Sequence, residues 1–188
     1  MDMQTLIKQC ASGDDAAFGE LVELYKTKII NTAFGLLQNR EDAYDIAQEV
    51  FIKLYRKIGD FAGDASLDTW IYRITVNTCL DEMRRRNRRI KTMPLTVEKD
   101  EDVLELPLAD TSGMPEEVAL RSEQSKEILK AVAALPQKYK TVLVLREFED
   151  MDYERIAVTL NISVGTVKSR LSRAREKLRN LLGNTTSN

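Results

Sequence analysis

Apolar residues recur along this chain at three- and four-residue intervals and rarely alternate, so the pattern predicts helices and gives strands little support. A short first helix covers about 3–11 and is ended by Ser12-Gly13. Asp14 or Asp15 is placed to cap a second running through 37, and a third runs from about 40 to 58, where Gly59 stops it. The fourth starts near 66 and reaches about 89. After a break, the pattern resumes over about 115–134, and Pro136 opens another helix to about 148. Two more follow, at about 152–160 and 164–182, with Gly183 as the terminal stop. The break itself, residues 91–120, holds three of the four prolines (Pro94, Pro107, Pro115), Gly113 and the acidic cluster Glu98, Asp100, Glu101, Asp102 and Glu105. The expected fold is all-α: a helical domain over 1–90, an acidic flexible linker over 91–120, and a second helical domain over 121–188. As a free coil the linker would average about 30 Å end to end.

Composition removes several function classes. No apolar run approaches the ~20 residues that cross a bilayer. The first ten residues carry Asp2 and Lys8 without the basic-then-apolar layout of a signal peptide, so a cytoplasmic protein that does not itself insert in a membrane is expected. There is no histidine, which excludes imidazole acid–base catalysis and any histidine-bearing metal site. Cys10 and Cys79 are too few for a zinc cage, and in a cytosolic chain they read as two small buried hydrophobes. No cofactor and no enzymatic chemistry are expected. The net charge of −2 conceals a segregation: residues 1–90 carry 13 basic against 14 acidic side chains, residues 91–120 carry 2 against 8, and residues 121–188 carry 13 against 8. A basic C-terminal unit behind an acidic segment fits a local nucleic-acid surface on a chain that is acidic as a whole.

The segment Tyr153 to Arg170 fits a helix-turn-helix. Ile156, Ala157 and Leu160 form the inner face of its first helix, with Ala157 small where the helices cross; Ile162 plugs the core, and Ser163 is placed to cap the second helix. That second helix carries an apolar seam, Val167, Leu171, Ala174, Leu178 and Leu181, and beside it a polar and basic face of Thr166, Ser169, Arg170, Arg173 and Lys177. From Asn161 onward there are six basic residues and one acid, Glu176. Short polar groups at the start of a helix suit base edges in the major groove, and basic groups further along suit phosphates.

Two features of the N-terminal half carry weaker signals. The fourth helix ends in Arg84-Arg85-Arg86-Asn87-Arg88-Arg89-Ile90-Lys91, and Arg73, Asn77, Asp81, Arg84 and Arg88 fall on one stripe. An amide and two aromatics, Trp70 and Tyr72, precede the basic end, which suits nucleic acid; core packing of Trp70 and a merely solubilising helix end are the plain alternatives. In the third helix, Ala43, Ile46, Ala47, Val50 and Leu54 form a buried seam, while Asp45, Gln48, Glu49 and Ile52 share an outer face. An isoleucine among short polar groups on an outer face reads either as a partner surface or as an ordinary solvated face.

The runs Asp45-Ile46-Ala47-Gln48-Glu49-Val50-Phe51-Ile52-Lys53, Asp68-Thr69-Trp70-Ile71-Tyr72-Arg73-Ile74-Thr75-Val76-Asn77, Leu135-Pro136-Gln137-Lys138-Tyr139-Lys140 and Ser163 through Arg175 closely resemble the extracytoplasmic-function group of bacterial sigma factors. The resemblance covers nearly the whole chain outside the linker. It implies a promoter-specificity subunit whose partners are core RNA polymerase, promoter DNA and an anti-sigma factor, often membrane-bound in the family. Carried over by position, Asp45, Gln48, Glu49, Ile52 and Lys53 would grip the clamp helices of the largest polymerase subunit. Asp60, Phe61, Ala62, Gly63, Asp64, Ala65 and Ser66 match the loop that captures an unstacked base of the −10 element, with Arg73 and Asn77 beside it and Arg84 and Arg88 further along the helix. Gly165, Thr166, Lys168, Ser169, Ser172 and Arg173 match the positions that read the −35 element. The linker would pass through the polymerase interior, where its acidity mimics the charge of RNA.

Two rival readings remain distinct from this one. A stand-alone helix-turn-helix regulator with an N-terminal sensor accounts for the C-terminal half, but leaves the outward Ile52 and the arginine-tipped helix without a role. A metal-dependent nuclease using Glu98, Asp100 and Asp102 would need three carboxylates held rigid within a proline-bearing linker.

Overall fold

The computed structural model describes the backbone of residues 2–92 and 116–185, and side chains over 2–88 and 125–183. Most of the expected linker, residues 93–115, lies outside the described residues. Eight α-helices are described: α1 (Met3–Ala11), α2 (Asp15–Leu37), α3 (Arg40–Lys57), α4 (Leu67–Thr92), α5 (Glu116–Ala133), α6 (Gln137–Glu147), α7 (Tyr153–Leu160) and α8 (Val164–Thr185). A single 3-10 turn, Ile58–Asp60, follows α3, and no strand occurs among the described residues.

Local chemistry sets most of these boundaries. Asp14, and not Asp15, caps α2: its carboxylate accepts the backbone N–H groups of Ala16 at 2.9 Å and Ala17 at 3.1 Å. Asn39 accepts from the Asp42 N–H to start α3, and Asp152 accepts from the Arg155 N–H at 2.6 Å to start α7. Gln38 and Asn161 end α2 and α7 in the left-handed region, with φ of 56° and 53°. Pro136 takes the position just before α6 instead of its first turn. Two ends differ from the sequence expectation. Helix α4 continues to Thr92, and α8 runs through Gly183 to Thr185. A glycine costs a helix only about 1 kcal/mol, which does not stop one already anchored by its seam.

Helix α2 is the hub of the N-terminal half. Its Leu21, Ile29, Ala33 and Leu36 are buried against Ala43, Ile46, Val50 and Leu54 of α3 and against Ile71, Val76 and Cys79 of α4. In the C-terminal half, Val142, Leu145, Ile156, Val167 and Leu171 enclose the helix-turn-helix, and a smaller cluster of Val132, Leu135, Tyr139, Leu143 and Ala174 seats α5 and α6 on α8. Cys10 and Cys79 are both free and buried, as the sequence suggests. Burial pushes the Cys79 thiol up to about 12 and raises that of Cys10 as well.

The two halves also pack on each other, so that one buried cluster takes in residues of every described helix except α5. Helix α2 meets α6, and α4 meets α7. At the first contact Gly35 lets the backbones close: a Cβ built there would lie 2.8 Å from Cγ1 of Val144. At the second, Asp68 of α4 accepts hydrogen bonds from the Tyr25 hydroxyl at 2.5 Å and from Nη2 of Arg155 at 2.8 Å, with the Lys28 ammonium 3.7 Å away. The Arg155 guanidinium lies 5.4 Å over the ring of Tyr72, whose hydroxyl donates to Oε2 of Glu149 at 2.6 Å. Burial alone would raise the Asp68 carboxyl, but the Tyr25 and Arg155 donors and nearby Lys28 outweigh it and hold it below the carboxylate range. Burial wins at Glu149, which is raised despite the Tyr72 and Thr32 hydroxyls and the nearby Lys28 and Arg155 cations.

Two outcomes follow from this packing. Gly35→Ala gains about 1 kcal/mol of helix propensity. It also drives a methyl into a stiff β-branched neighbour, an overpacking that costs about 1–3 kcal/mol. A net loss in Tm of about 2–4 °C is expected by calorimetry, and an unchanged or higher Tm would show that the crossing is loose. The Glu149 contribution is present below the ordinary carboxyl range and lost as pH rises through its elevated pKa; Asp68 has the opposite sign, its contribution being lost as pH falls through its depressed value. Glu149→Gln removes only the first effect. Its Tm relative to the parent protein should therefore climb as pH rises above the ordinary carboxyl range of about 4, and a pH-independent difference would contradict the burial argument.

Candidate nucleic-acid interface

The outer face of α3 is open. Asp45, Gln48 and Glu49 are exposed, and Ile52 is 51% exposed although it is a large apolar residue. Tyr44 and Tyr55, exposed on the same helix, broaden the apolar part of that surface. Lys53 turns inward: its ammonium pairs with Glu49 at 2.7 Å and donates to the Thr78 hydroxyl of α4 at 3.0 Å. The buried seam of Ala43, Ile46, Ala47, Val50 and Leu54 holds this face at a fixed angle.

The loop before α4 divides into a supporting and an open part. Phe61 is half-buried and packs on Trp70 with ring centroids 5.2 Å apart, so Trp70 acts as a floor and not as a free stacking platform. Ala65 is also half-buried, while Asp60, Ala62, Gly63 and Asp64 are exposed; Gly63 at φ +80° adopts a conformation that side chains disfavour. Ser66 caps α4, its Oγ accepting the Thr69 N–H at 3.2 Å and sharing a 2.8 Å bond with the Thr69 hydroxyl.

Along α4 the predicted stripe is only partly free. Asn77 is exposed, but the guanidinium of Arg73 is half-buried and donates from Nη2 to the carbonyl of Val158 in α7 at 2.9 Å. Arg84 is exposed and pairs with Asp81 at 2.7 Å. Arg86 has structural work, bonding Glu82 on its own helix and Asp42 at the start of α3; those carboxylates raise its pKa further. Arg88 is exposed near the end of the described side chains. Arg89 and Lys91 lie beyond them.

Helix α8 presents the clearest surface. Ser163 caps it, with the Thr166 N–H at 3.1 Å and a 2.8 Å bond to the Thr166 hydroxyl, and Ser169 Oγ donates to the Thr166 carbonyl at 3.0 Å. Gly165, Lys168, Ser169, Ser172 and Arg173 are exposed, and Thr166 is half-buried. The apolar seam is buried at Val167, Leu171 and Ala174, half-buried at Leu178, and emerges at Leu181, which is 37% exposed. The Arg173 guanidinium beside Tyr139 holds that phenol below its ordinary value.

Of the side chains that join the two halves, Tyr72 is one of the two aromatics that suit nucleic acid in the sequence, but it is buried, with its hydroxyl on Glu149; Tyr25, Asp68, Glu149 and Arg155 are not among the sequence candidates. Their pairings span 43 to 87 residues, so no local spacing announces them. Among the described residues no cluster of acidic and cysteine side chains is arranged to hold a metal, and Glu98, Asp100 and Asp102 lie outside them. No described helix is long and apolar enough to cross a membrane.

The chain matches the family Sigma-70 region 2 over residues 21–89 and Sigma-70, region 4 over residues 125–178. It is similar to the RNA polymerase sigma-H factor of Pseudomonas aeruginosa, with 39% identity over 93% of this chain and 91% of the relative. The ECF RNA polymerase sigma factor SigW of Bacillus subtilis is 35% identical, and 97% of each chain is covered. Among solved structures, CnrH in complex with the cytosolic domain of CnrY is 25% identical, covers 96% of both chains and superposes with a TM-score of 0.66. A capped helix-turn-helix, an outward acidic and apolar face on α3, and end-to-end likeness to such proteins converge: the chain belongs to the extracytoplasmic-function group of sigma-70 RNA polymerase sigma factors.

Proposed function

We propose that this chain is an alternative sigma factor that docks on core RNA polymerase in the cytoplasm and selects promoters without performing covalent chemistry. The observation that carries the reading is the open, capped face of α8 in a chain that aligns almost end to end with sigma factors. Residues 1–90 form the unit that binds the polymerase clamp and melts the −10 element, residues 91–120 the linker, into which the end of α4 and the start of α5 extend, and residues 121–188 the unit that reads the −35 element. CnrH was solved with the cytosolic domain of CnrY. By likeness, this chain is held inactive by an anti-sigma factor that meets it in the cytosol.

The roles follow from the side chains. Lys168, Ser169, Ser172 and Arg173 meet base edges and phosphates of duplex DNA, with Gly165 and Thr166 at the helix start allowing close approach. Asp45, Gln48, Glu49 and Ile52 form the polymerase contact, with Lys53 fixing the Glu49 carboxylate. Extruding a base from a stack costs a few kcal/mol. A pocket made by the 60–66 loop over Phe61 and Trp70, with Asn77 and a released Arg73 beside it, binds only the extruded base and so offsets that cost at cognate sequences. Arg84 and Arg88 then follow the phosphate backbone.

Reconstitution with core polymerase and sequencing of the transcript starts tests the function directly. A defined set of starts absent from core alone is expected, and Glu49→Lys should abolish capture; symmetric-operator binding without polymerase would instead support a stand-alone regulator. Arg173→Ala should weaken promoter binding by about 1–3 kcal/mol and relax preference at one base pair of the −35 element. If it changes only the salt slope of binding, Arg173 is a phosphate contact and not a reader.

A further inference from the structure

We infer that a cleft between α4, α6, α7 and α8 is a binding site for a small diphosphate anion, free or as the end of a nucleotide. The inference goes beyond the sigma-factor reading and does not depend on it.

The cleft has a volume of about 210 Å³. Arg84 of α4, Lys138 of α6 and Arg170 of α8 line it, and no carboxylate does. Arg84 pairs with Asp81 at 2.7 Å, but both side chains are mostly exposed, and such a surface pair is weak. Lys138 lies 5.0 Å over the ring of Tyr139. Among the described residues, neither Lys138 nor Arg170 forms an ion pair. Arg170 is half-buried, which leaves a guanidinium partly shielded from water and not neutralised. Leu80 and Leu160 form apolar walls beside these charges. Like charges gathered against apolar walls repel, and an anion placed among them removes that repulsion.

The chemistry of the lining selects phosphate. Arg84 and Arg170 offer planar forks that match phosphate oxygens two at a time, and Lys138 adds a point charge. Gln137, half-buried beside Lys138, supplies amide donors. The buried Thr141 hydroxyl donates to the Gln137 carbonyl at 2.9 Å and fixes that wall of the cleft. Pro136 gives α6 no side-chain cap, so the positive end of the helix opens next to the same two residues. Volume then sets the size of the ligand. At about 30 Å³ per water, the cleft holds about seven waters. That is room for two linked phosphates, and it falls below the ~300–1,000 Å³ of sites that enclose a drug-sized molecule. A nucleotide would leave its base outside. The DNA readers proposed above, Lys168, Ser169, Ser172 and Arg173, stay exposed on α8 outside the cleft.

Isothermal titration of the full chain with inorganic diphosphate, in magnesium-free buffer, tests the site. One diphosphate per chain is expected, with orthophosphate at least about tenfold weaker, because a single phosphate engages fewer of the three cations. The calorimetric Tm should rise by about 5–10 °C at a diphosphate concentration about 100-fold above its Kd. Arg170→Ala and Lys138→Ala should each weaken binding about tenfold. Arg56→Ala makes the same charge change at an exposed position of α3 outside the cleft, and should leave binding unchanged. Equal binding of ADP would assign the site to the diphosphate of a nucleotide, and binding of inorganic diphosphate alone would assign it to the free anion; both support the inference. Absence of heat and of a Tm rise in the parent protein would overturn it. So would an equal loss in Arg56→Ala, or orthophosphate binding as tightly as diphosphate. If Arg170→Ala weakens binding of a mixed-sequence DNA duplex but not of diphosphate, the cleft is part of the DNA surface and the inference fails. Run-off transcription with core polymerase reports separately on the sigma-factor reading.

Discussion

The carboxylate of Asp68 sits where donors from three other helical positions converge: a phenol and an ammonium from α2 and a guanidinium from α7. A half-buried carboxylate is tolerated only when it is paired, and here its best partner comes from the other half of the molecule. The relative placement of the two halves is thus written into the needs of one charge. Tyr72 supports the arrangement from below, offering its ring to Arg155 and its hydroxyl to Glu149. Gly35 makes the whole approach possible by allowing α6 to come within reach. The contact is polar at its centre and continuous with the buried apolar cluster around it.

The starts of α4 and α8 are fixed by local bonds. Helices α4 and α8 begin with the same device, a serine whose hydroxyl accepts the N–H of a threonine three residues on and shares a bond with the threonine hydroxyl. The loop before α4 is braced by Phe61 on Trp70, and the turn before α8 by Asn161 in the left-handed region and by the Ile162 N–H bonded to the Ala157 carbonyl at 3.0 Å. The first turns of both helices are therefore shaped by bonds within their own segments.

How much of this was legible in the sequence depended on the range of the interaction. Helices with a strong seam and a local cap, such as α3 and α7, were found to within a residue or two, because seam, cap and stop all lie within one segment. The overrun of α8 past Gly183 shows the limit of a single stop signal. The exposed positions of α8 and the outward Ile52 were also readable, since periodicity alone separates an inner from an outer face. Arg73 and Arg86 were not: both sit in the basic pattern expected of a nucleic-acid surface, yet one is taken by a backbone carbonyl 85 residues away and the other by Asp42 at the start of α3. Composition marks a charge but not the distant partner that claims it.

The cysteines carry a consequence for redox chemistry. Both thiols lie inside the helical core and are held in their protonated, unreactive form, Cys79 most strongly. They are the two cysteines of the sequence. Oxidation at either thiol therefore requires the helical core to open first, which ties any redox chemistry at these positions to local unfolding.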